Sequence, residues 1–262
     1  MYSYNYESAS DFLHAIETRP IKPGRCSECM GSEQMAYSSS WSDVPDVKSA
    51  IAKGRTGDYE TALKIQPREV DLITHGALHT TKYDCSGDTV DVGRYLSGEP
   101  ECMGSRVRKG KPIINILVNI TVASWINSDV IRARGKAILQ IMSGLEANGY
   151  GVDITLVNRV RCGGKDHQVT VKVKDSKEYF NLTSLAYWLV SPSVLRRLWF
   201  RFCEGETREI QNGLTSTYGM VRDIPQAELD KMPDCVYFPY TQSNDTGQYK
   251  QAIKQIMETH KP

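Results

Sequence analysis

Arginine and aromatic residues alternate in the segment Leu195–Phe202, which reads LRRLWFRF. Guanidinium groups bind phosphates and aromatic rings stack on bases, so this segment carries the side chains that a single-stranded nucleic acid requires. At helical spacing the leucines, Trp199 and Phe202 share one face, and Arg197 shares the other face with Arg201. The pattern indicates either an ordinary amphipathic helix with a solvated cationic face or a phosphate-binding face formed by Arg197 and Arg201.

A second group of cations begins a predicted helix. Arg132, Arg134 and Lys136 lie where free backbone N–H groups and the helix dipole favour a bound anion. Gly135 lies among them. A glycine inside a helix costs about 1 kcal/mol relative to alanine, which indicates close packing against another backbone. The two interpretations are an anion site and a solvated basic face beside a packing glycine.

Further candidates lie in flanking segments. Tyr37 and Trp41 belong to a polar N-terminal stretch with cations, which either wraps a nucleic-acid strand and orders on binding or is an undistinguished tail. The predicted phosphate contacts in the flanking segments are Lys22, Arg25, Arg106, Arg108, Lys109, Lys111, Arg161 and Lys165. The predicted nucleic-acid-binding set consists of these residues together with Tyr37, Trp41, Arg132, Lys136, Arg197 and Arg201.

Asn119, Thr121 and Ala123 occupy alternate positions at the end of a predicted strand. The strand and the helix after it resemble a von Willebrand factor A-type domain, in which these positions carry Asp-x-Ser-x-Ser and hold a divalent metal. Hard cations need anionic oxygen ligands, and here the carboxylate and one hydroxyl are missing. We therefore expect the architecture of such a domain without its metal.

A zinc site is a further hypothesis. Cys26 and Cys29 form half of a zinc knuckle, and His75 with His79, spaced i and i+4, could complete it. The separation of the two pairs does not match a compact finger. The alternative is a free dithiol on a flexible loop.

A carboxylate cluster offers the remaining enzymatic chemistry, and its members are Asp88, Asp91, Glu99 and Glu101. Metal-dependent nucleases hold such carboxylates on rigid elements, whereas these lie in predicted turns. The sequence motifs of a nucleophile elbow, a phosphate loop and a dinucleotide-binding turn are absent after the predicted strands. We predict a protein that is not an enzyme and has no cofactor, with a metal-dependent nuclease as the weaker alternative.

The elements that position these residues are clearest in residues 113–160. Ile113–Thr121 and Val152–Val160 are apolar, β-branched runs typical of buried strands. Between them, a 3.6-residue period of apolar residues predicts a helix that begins at Ser128 and ends before Gly149. Such strand–helix–strand units are almost always right-handed and parallel. We predict an α/β fold with a von Willebrand A-like or Rossmann-like three-layer core and a mostly parallel sheet.

The remaining predicted elements surround this unit. Predicted strands span Thr89–Val92, Gln168–Val173 and Asp234–Tyr240. Proline in the last of these favours a strand that lies at a sheet edge or ends at the proline. Predicted helices span Ser8–Thr18, Trp41–Gly54, part of 58–79, Leu182–Val190, Ser191–Cys203 and Thr246–His260. We predict a mobile N-terminal arm at 1–40, followed by a single domain at 41–262 with a helical part at 41–82 and a core at 83–262.

Composition limits the classes of function. The chain has 262 residues, a net charge of +1 and 40% hydrophobic residues, which is typical of a globular protein without a broad polyanion-binding surface. Seven scattered cysteines favour a reducing compartment. A secretion signal and a membrane-spanning apolar run are both missing, so we expect a cytoplasmic protein that does not bind membranes. A homo-oligomer is left open.

Three phrases together resemble one protein family. They are TVDVGRYLSGEPECM at 89–103, RGKAILQIMSGLEANG at 134–149, and Trp41 followed by AIAKG at 50–54. They look like the family of phage and bacterial proteins that includes Drc, the single-stranded-DNA-binding RNA polymerase cofactor of phages with a virion RNA polymerase. The resemblance covers residues 40–205, and its matched residues are mainly scaffold, such as the turn glycines Gly93 and Gly98.

The resemblance implies a phage early protein that binds single-stranded DNA and brings a phage RNA polymerase to unwound promoter DNA, in the host cytoplasm. We therefore predict a single-stranded-DNA-binding cofactor of phage transcription or replication. The main alternative is a metal-free, von Willebrand A-like scaffold whose strand ends bind another protein.

Overall fold

The structure, a computed structural model of the chain, describes residues 1–33, 41–65, 79–108, 113–123, 125–147, 150–179, 181–214, 218–232 and 235–241. Several predictions fall outside these ranges: Tyr37, His75, Lys109, Lys111 and the helix at Thr246–His260.

The described residues contain both strands and helices. In chain order the strands are β1 (Tyr2–Tyr6), β2 (His79–Asp84), β3 (Thr89–Val90), β4 (Met103–Arg108), β5 (Ile113–Asn119), β6 (Gly151–Cys162), β7 (Lys165–Lys174), β8 (Met220–Val221) and β9 (Cys235–Phe238). The helices are α1 (Ala9–Thr18), α2 (Arg25–Cys29), α3 (Val47–Thr56), α4 (Tyr59–Leu63), α5 (Val92–Leu96), α6 (Ser128–Ala147), α7 (Leu182–Val190), α8 (Phe200–Glu204), α9 (Arg208–Gly213) and α10 (Gln226–Leu229). A π-helical segment, Val194–Trp199, leads directly into α8.

The central sheet has the strand order β1-β7-β6-β5-β9, and β8 pairs with the end of β6. β5 is parallel to β6 and β9, and β1 is parallel to β7, whereas β6 and β7 form an antiparallel hairpin. The parallel strand–helix–strand unit predicted at 113–160 is therefore confirmed. So is the edge position of the predicted strand near 234–240, which is β9 at one end of the described sheet.

Close helix packing explains the glycine inside α6. A Cβ atom built on Gly135 would lie only 2.0 Å from the carbonyl oxygen of Leu189, so α6 and α7 meet backbone to backbone at this point. This confirms the predicted role of Gly135 in packing. Among the described residues, no helix is both long enough and apolar enough to cross a membrane.

Most of the helices pack on one face of the sheet. The main apolar core joins α1, α3, α6 and α7 to the inward positions of β5 and β6, such as Ile116 and Ile154. The other face carries polar side chains such as Gln168 and Thr170, and a small apolar cluster in which Ile224 packs on Leu117 and Val157. The described residues thus form an α/β fold with a mostly parallel central sheet.

The prediction of a mobile arm is wrong for its first 18 residues. β1 extends the central sheet beside β7, pairing Tyr4 with Val169. Helix α1, close to the predicted Ser8–Thr18, buries Phe12, Leu13 and Ile16 in the main core. Tyrosines alternating with polar residues form a strand here because their rings pack inward while the small polar side chains face outward.

Other boundaries shift for local reasons. The helix predicted at Trp41–Gly54 begins at Val47, because the Oδ1 atom of Asp46 accepts the backbone N–H of Ser49 at 2.6 Å and caps that end. The strand predicted at Thr89–Val92 is the short β3, which pairs with β4 in a separate antiparallel sheet. Asp91, from the predicted carboxylate cluster, caps α5 in this unit.

Candidate functional site

The carboxyl ends of β5 and β6 border a cavity of about 470 Å³. Ligands of α/β proteins commonly bind beyond the carboxyl ends of parallel strands. The cavity is lined by residues that follow β5, by the end of β6, by the π-helical segment and α8, and by the strand β8. We call this cavity the edge pocket.

The floor of the edge pocket depends on how β5 ends. Oδ1 of Asn119 accepts the backbone N–H of Thr121 at 3.1 Å and also its hydroxyl, while Nδ2 donates to the carbonyl oxygen of Arg222 at 2.9 Å. These bonds hold the chain as it turns toward Ala123. Asn119 and Thr121, which occupy positions that hold a metal in von Willebrand factor A-type domains, are thus hydrogen-bonded to each other. Among the described residues, no group of three His, Cys, Asp or Glu side chains is placed to hold a metal.

Aromatic side chains form the walls of the pocket. Trp41, Trp199 and Phe200 line it, and Trp125 at its rim is 78% exposed. The rings of Phe200 and Tyr218 stack with their centroids 3.8 Å apart and 8° between their planes. An exposed tryptophan beside such a stack is a surface on which a flat aromatic ligand can bind.

Buried hydrogen bonds fix the orientation of Tyr218. Its hydroxyl donates to Oε1 of Glu204 at 2.7 Å and accepts the backbone N–H of Gly31 at 2.8 Å. Burial, followed by the charge of Glu204, raises the pKa of Tyr218 well above 10. The phenol therefore remains protonated at neutral pH and serves to hold the stacked ring in place.

Arg196 braces the pocket from inside. Its guanidinium donates to the carbonyl oxygens of Trp41 at 2.7 Å and Ile126 at 2.6 Å, and to the hydroxyl of Ser128 at 3.0 Å. It also lies 4.3 Å from the centre of the Trp41 ring. Burial first, and then the charge of Arg132, lowers the pKa of Arg196, but the side chain stays protonated at neutral pH. One buried cation thus links the aromatic wall to the start of α6.

Asn158 places an amide among apolar neighbours. The inward positions of β6 on either side of it are Leu156 and Val160, both buried and apolar. Asn158 is 5% exposed and lines the edge pocket. Within the described part of the chain its side chain makes no hydrogen bond. Its amide is therefore available for hydrogen bonds to a ligand in the cavity.

The predicted cationic face of Arg197 and Arg201 is not present. Arg197 is fully buried and donates to the carbonyl oxygen of Ser32 at 2.7 Å. Arg201 is half-buried and donates to the carbonyl oxygen of Arg19 at 2.7 Å. The reason is that the chain segments of Ser32 and Arg19 pack over this side of the helix and accept hydrogen bonds from both guanidinium groups.

The cations at the start of α6 have separate roles. Arg134 is buried and donates to the carbonyl oxygens of Asn119 at 2.9 Å and Pro239 at 2.8 Å, so its charge meets strand ends rather than a bound anion. Arg132 is partly exposed and pairs with Asp129 at 3.0 Å. Lys136 is half-buried on the same helix.

The other predicted contacts are dispersed. Arg161 and Lys165 are exposed at the two ends of the tight turn between β6 and β7, which runs through Gly163 and Gly164 with positive φ angles. Arg25 is exposed on α2, and Lys22 precedes that helix. Arg106 and Arg108 lie on β4, in the separate sheet.

The predicted dithiol is part of a helix rather than a flexible loop. Cys26 packs in an apolar cluster with Cys162 and Cys203, and burial raises the pKa of its thiol to about 12. Cys29, one turn later in α2, is exposed and borders the edge pocket. Neither cysteine forms a disulfide with another described cysteine. His79 begins β2, and the hypothesis that it joins these cysteines at a zinc ion also needs His75, which lies outside the described residues.

The sequence predicted one of the residues that line the edge pocket and missed two others. Trp41 was a predicted contact and does line the cavity. Asn158 and Trp125 were not predicted. Asn158 could have been found as the one polar residue on the inward side of the apolar strand β6, because a strand alternates its faces with a period of two.

Comparison with known proteins identifies a family without assigning a function. A family model described as "Domain of unknown function (DUF7192)" matches residues 1–261, so the chain belongs to that family. Searches of curated proteins and of solved structures found no match.

Proposed function

We propose that this member of the DUF7192 family binds single-stranded nucleic acid and holds one unstacked base in the edge pocket. The observation that carries the proposal is the aromatic pocket itself, with the exposed Trp125 at its rim and the Phe200–Tyr218 stack in its wall. Aromatic rings bind bases of any sequence because every base has a π-face. In a duplex the bases are already paired and stacked, so this mode of binding favours single strands.

Cations at the same edge support the proposal. Arg161 is exposed, and its backbone is paired with that of Met220, which lines the pocket. Arg132 is close enough to Arg196 for its charge to affect the pKa of that residue. These positions replace Arg197 and Arg201 as candidates for phosphate contacts. In the biological setting that the family resemblance implies, the bound strand would be unwound promoter DNA and the protein partner a phage RNA polymerase.

Fluorescence anisotropy with a labelled single-stranded oligonucleotide tests this function. We expect binding at about 50 mM salt, weaker binding to the matching duplex, and an affinity that falls as salt rises. Trp125→Ala should weaken binding about five- to 150-fold, because stacking contributes about 1–3 kcal/mol per base.

Tyr179→Ala is the matched control. Tyr179 is 98% exposed and follows the far end of β7, so it removes an equally accessible ring at a site away from the pocket. Unchanged affinity in the control, together with the loss in the Trp125 variant, supports the proposal. It is overturned if the wild-type protein does not bind the single strand, or if both variants bind as tightly as the wild type.

A further inference from the structure

The edge pocket contains an amide side chain with unused hydrogen-bonding capacity, in addition to the unpaired indole N–H groups of Trp41 and Trp199. Three further polar groups that line it are engaged: the Thr121 hydroxyl with Asn119, the Tyr218 hydroxyl with Glu204, and the Arg196 guanidinium with carbonyl oxygens. Asn158 is more than nine-tenths buried, and its amide bonds to nothing in the described part of the protein. A group of this kind, inside an apolar cavity, points to a ligand that supplies the missing partners.

The neighbouring residues show that the amide has no packing role that an apolar residue could not fill. Leu156 and Val160 occupy the adjacent inward positions of β6, and Val169 pairs with Asn158 across β7. All three are buried and apolar. Leucine would fit this pattern, so the amide is explained by binding rather than by folding.

We propose that Asn158 reads the hydrogen-bonding edge of the base in the edge pocket. A carboxamide presents one acceptor oxygen and one NH₂ donor side by side in a plane. Its complement is an edge with a donor and an acceptor on adjacent atoms, as when asparagine binds N6 and N7 of adenine. Every natural base has such an edge, whereas a hydrocarbon or fluorinated ring of the same shape lacks it. This inference rests on the proposed function and defines the ligand of the same pocket more closely.

Oligonucleotides with a single base test the inference. A strand of abasic nucleotides carries at its centre thymine, its non-hydrogen-bonding isostere 2,4-difluorotoluene, or no base. For the wild-type protein we expect thymine to bind about five- to 150-fold more tightly than the isostere, the range for a good bidentate pair. The isostere should still bind more tightly than the fully abasic strand, because it keeps the stacking surface.

Asn158→Leu then separates edge recognition from stacking. We expect this variant to bind thymine and the isostere equally, and to bind the isostere as tightly as the wild type does. Its melting temperature should be no lower than that of the wild type, which excludes misfolding as the cause.

The failures of the two proposals are distinguishable. If wild type prefers natural strands and Trp125→Ala weakens them, but thymine and the isostere bind equally, only the role of Asn158 is overturned. The same conclusion follows if Asn158→Leu keeps the preference for thymine. If the wild-type protein binds no oligonucleotide, both proposals fail.

Discussion

Replacing Glu206 with glutamine should destabilise the protein by about 2–3 kcal/mol. The carboxylate is 1% exposed and pairs with Nη2 of Arg19 at 2.9 Å, with Nε2 of His167 at 3.3 Å and with the hydroxyl of Tyr4 at 3.0 Å. Breaking a buried ion pair costs about 3–5 kcal/mol. We reduce that figure because Arg19 is 20% exposed, so water partly solvates it after the change, and because glutamine keeps one acceptor oxygen.

The same carboxylate predicts an acid-sensitive contribution to stability. Burial alone would raise the pKa of Glu206, but the hydrogen bond from His167 and the charge of Arg19 outweigh it and lower the pKa below 4.5. An ionised carboxylate only accepts hydrogen bonds, so Nε2 of His167 carries the proton in this pair. Because the folded pKa is the lower one, the contribution is complete above pH 4.5 and is lost as the pH falls through the folded pKa.

Urea unfolding at pH 7 and at pH 4 measures both effects. Glu17→Gln is the control, because Glu17 also pairs with an arginine, Arg55, but on the surface, where such pairs contribute about 0–1 kcal/mol. The loss of stability between pH 7 and pH 4 should be smaller in Glu206→Gln than in the wild type. Equal effects of the two substitutions at pH 7 would refute the view that the buried network ties β1 and α1 to the domain.

The packing glycine and the cysteines give two further predictions. Gly135→Ala should lower the free energy of unfolding by about 3 kcal/mol in a urea titration, because the added Cβ would meet the Leu189 carbonyl. The control, Ala133→Gly at an exposed position of α6, should lower it by only about 1 kcal/mol. Equal losses in the two variants would contradict the backbone contact. Alkylation at pH 7, followed by peptide mass spectrometry, should modify Cys29 and spare Cys26, because burial raises the pKa of Cys26 to about 12; modification of both at similar rates would show that α2 does not hold Cys26 in the core.

Local patterns were sufficient where one force dominates. β5, β6 and α6 were predictable because continuous apolar runs and a 3.6-residue period both follow from burial in one core. Gly135 was predictable because the cost of glycine in a helix needs a compensating contact. The β1 strand was not, since the partner that buries its tyrosines is β7, more than 150 residues later, and nothing local indicates that pairing.

The arginines illustrate a different limit. The alternation of arginine and aromatic residues offered, as one of two interpretations, that Arg197 and Arg201 face a nucleic acid, but each donates to a main-chain carbonyl oxygen. Arginine can be buried in this way because its planar guanidinium satisfies several acceptors while its charge is stabilised by carbonyl dipoles. Whether an arginine meets solvent or carbonyl groups depends on loops far away in the sequence, in this case those of Ser32 and Arg19.

The binding of arginine side chains to main-chain carbonyl oxygens also explains how the edge pocket forms. The π-helical segment turns Arg196 toward the carbonyl oxygens of Trp41 and Ile126, which anchors two loops around the ends of the strands. Because the guanidinium of Arg196 binds these carbonyl oxygens, the aromatic rings of Trp199 and Phe200 line the cavity. Asn158 adds a polar side chain to the lining. The segment that suggested phosphate binding by its arginines therefore supports base binding by its aromatic rings, and the arginines contribute by fixing where those rings lie.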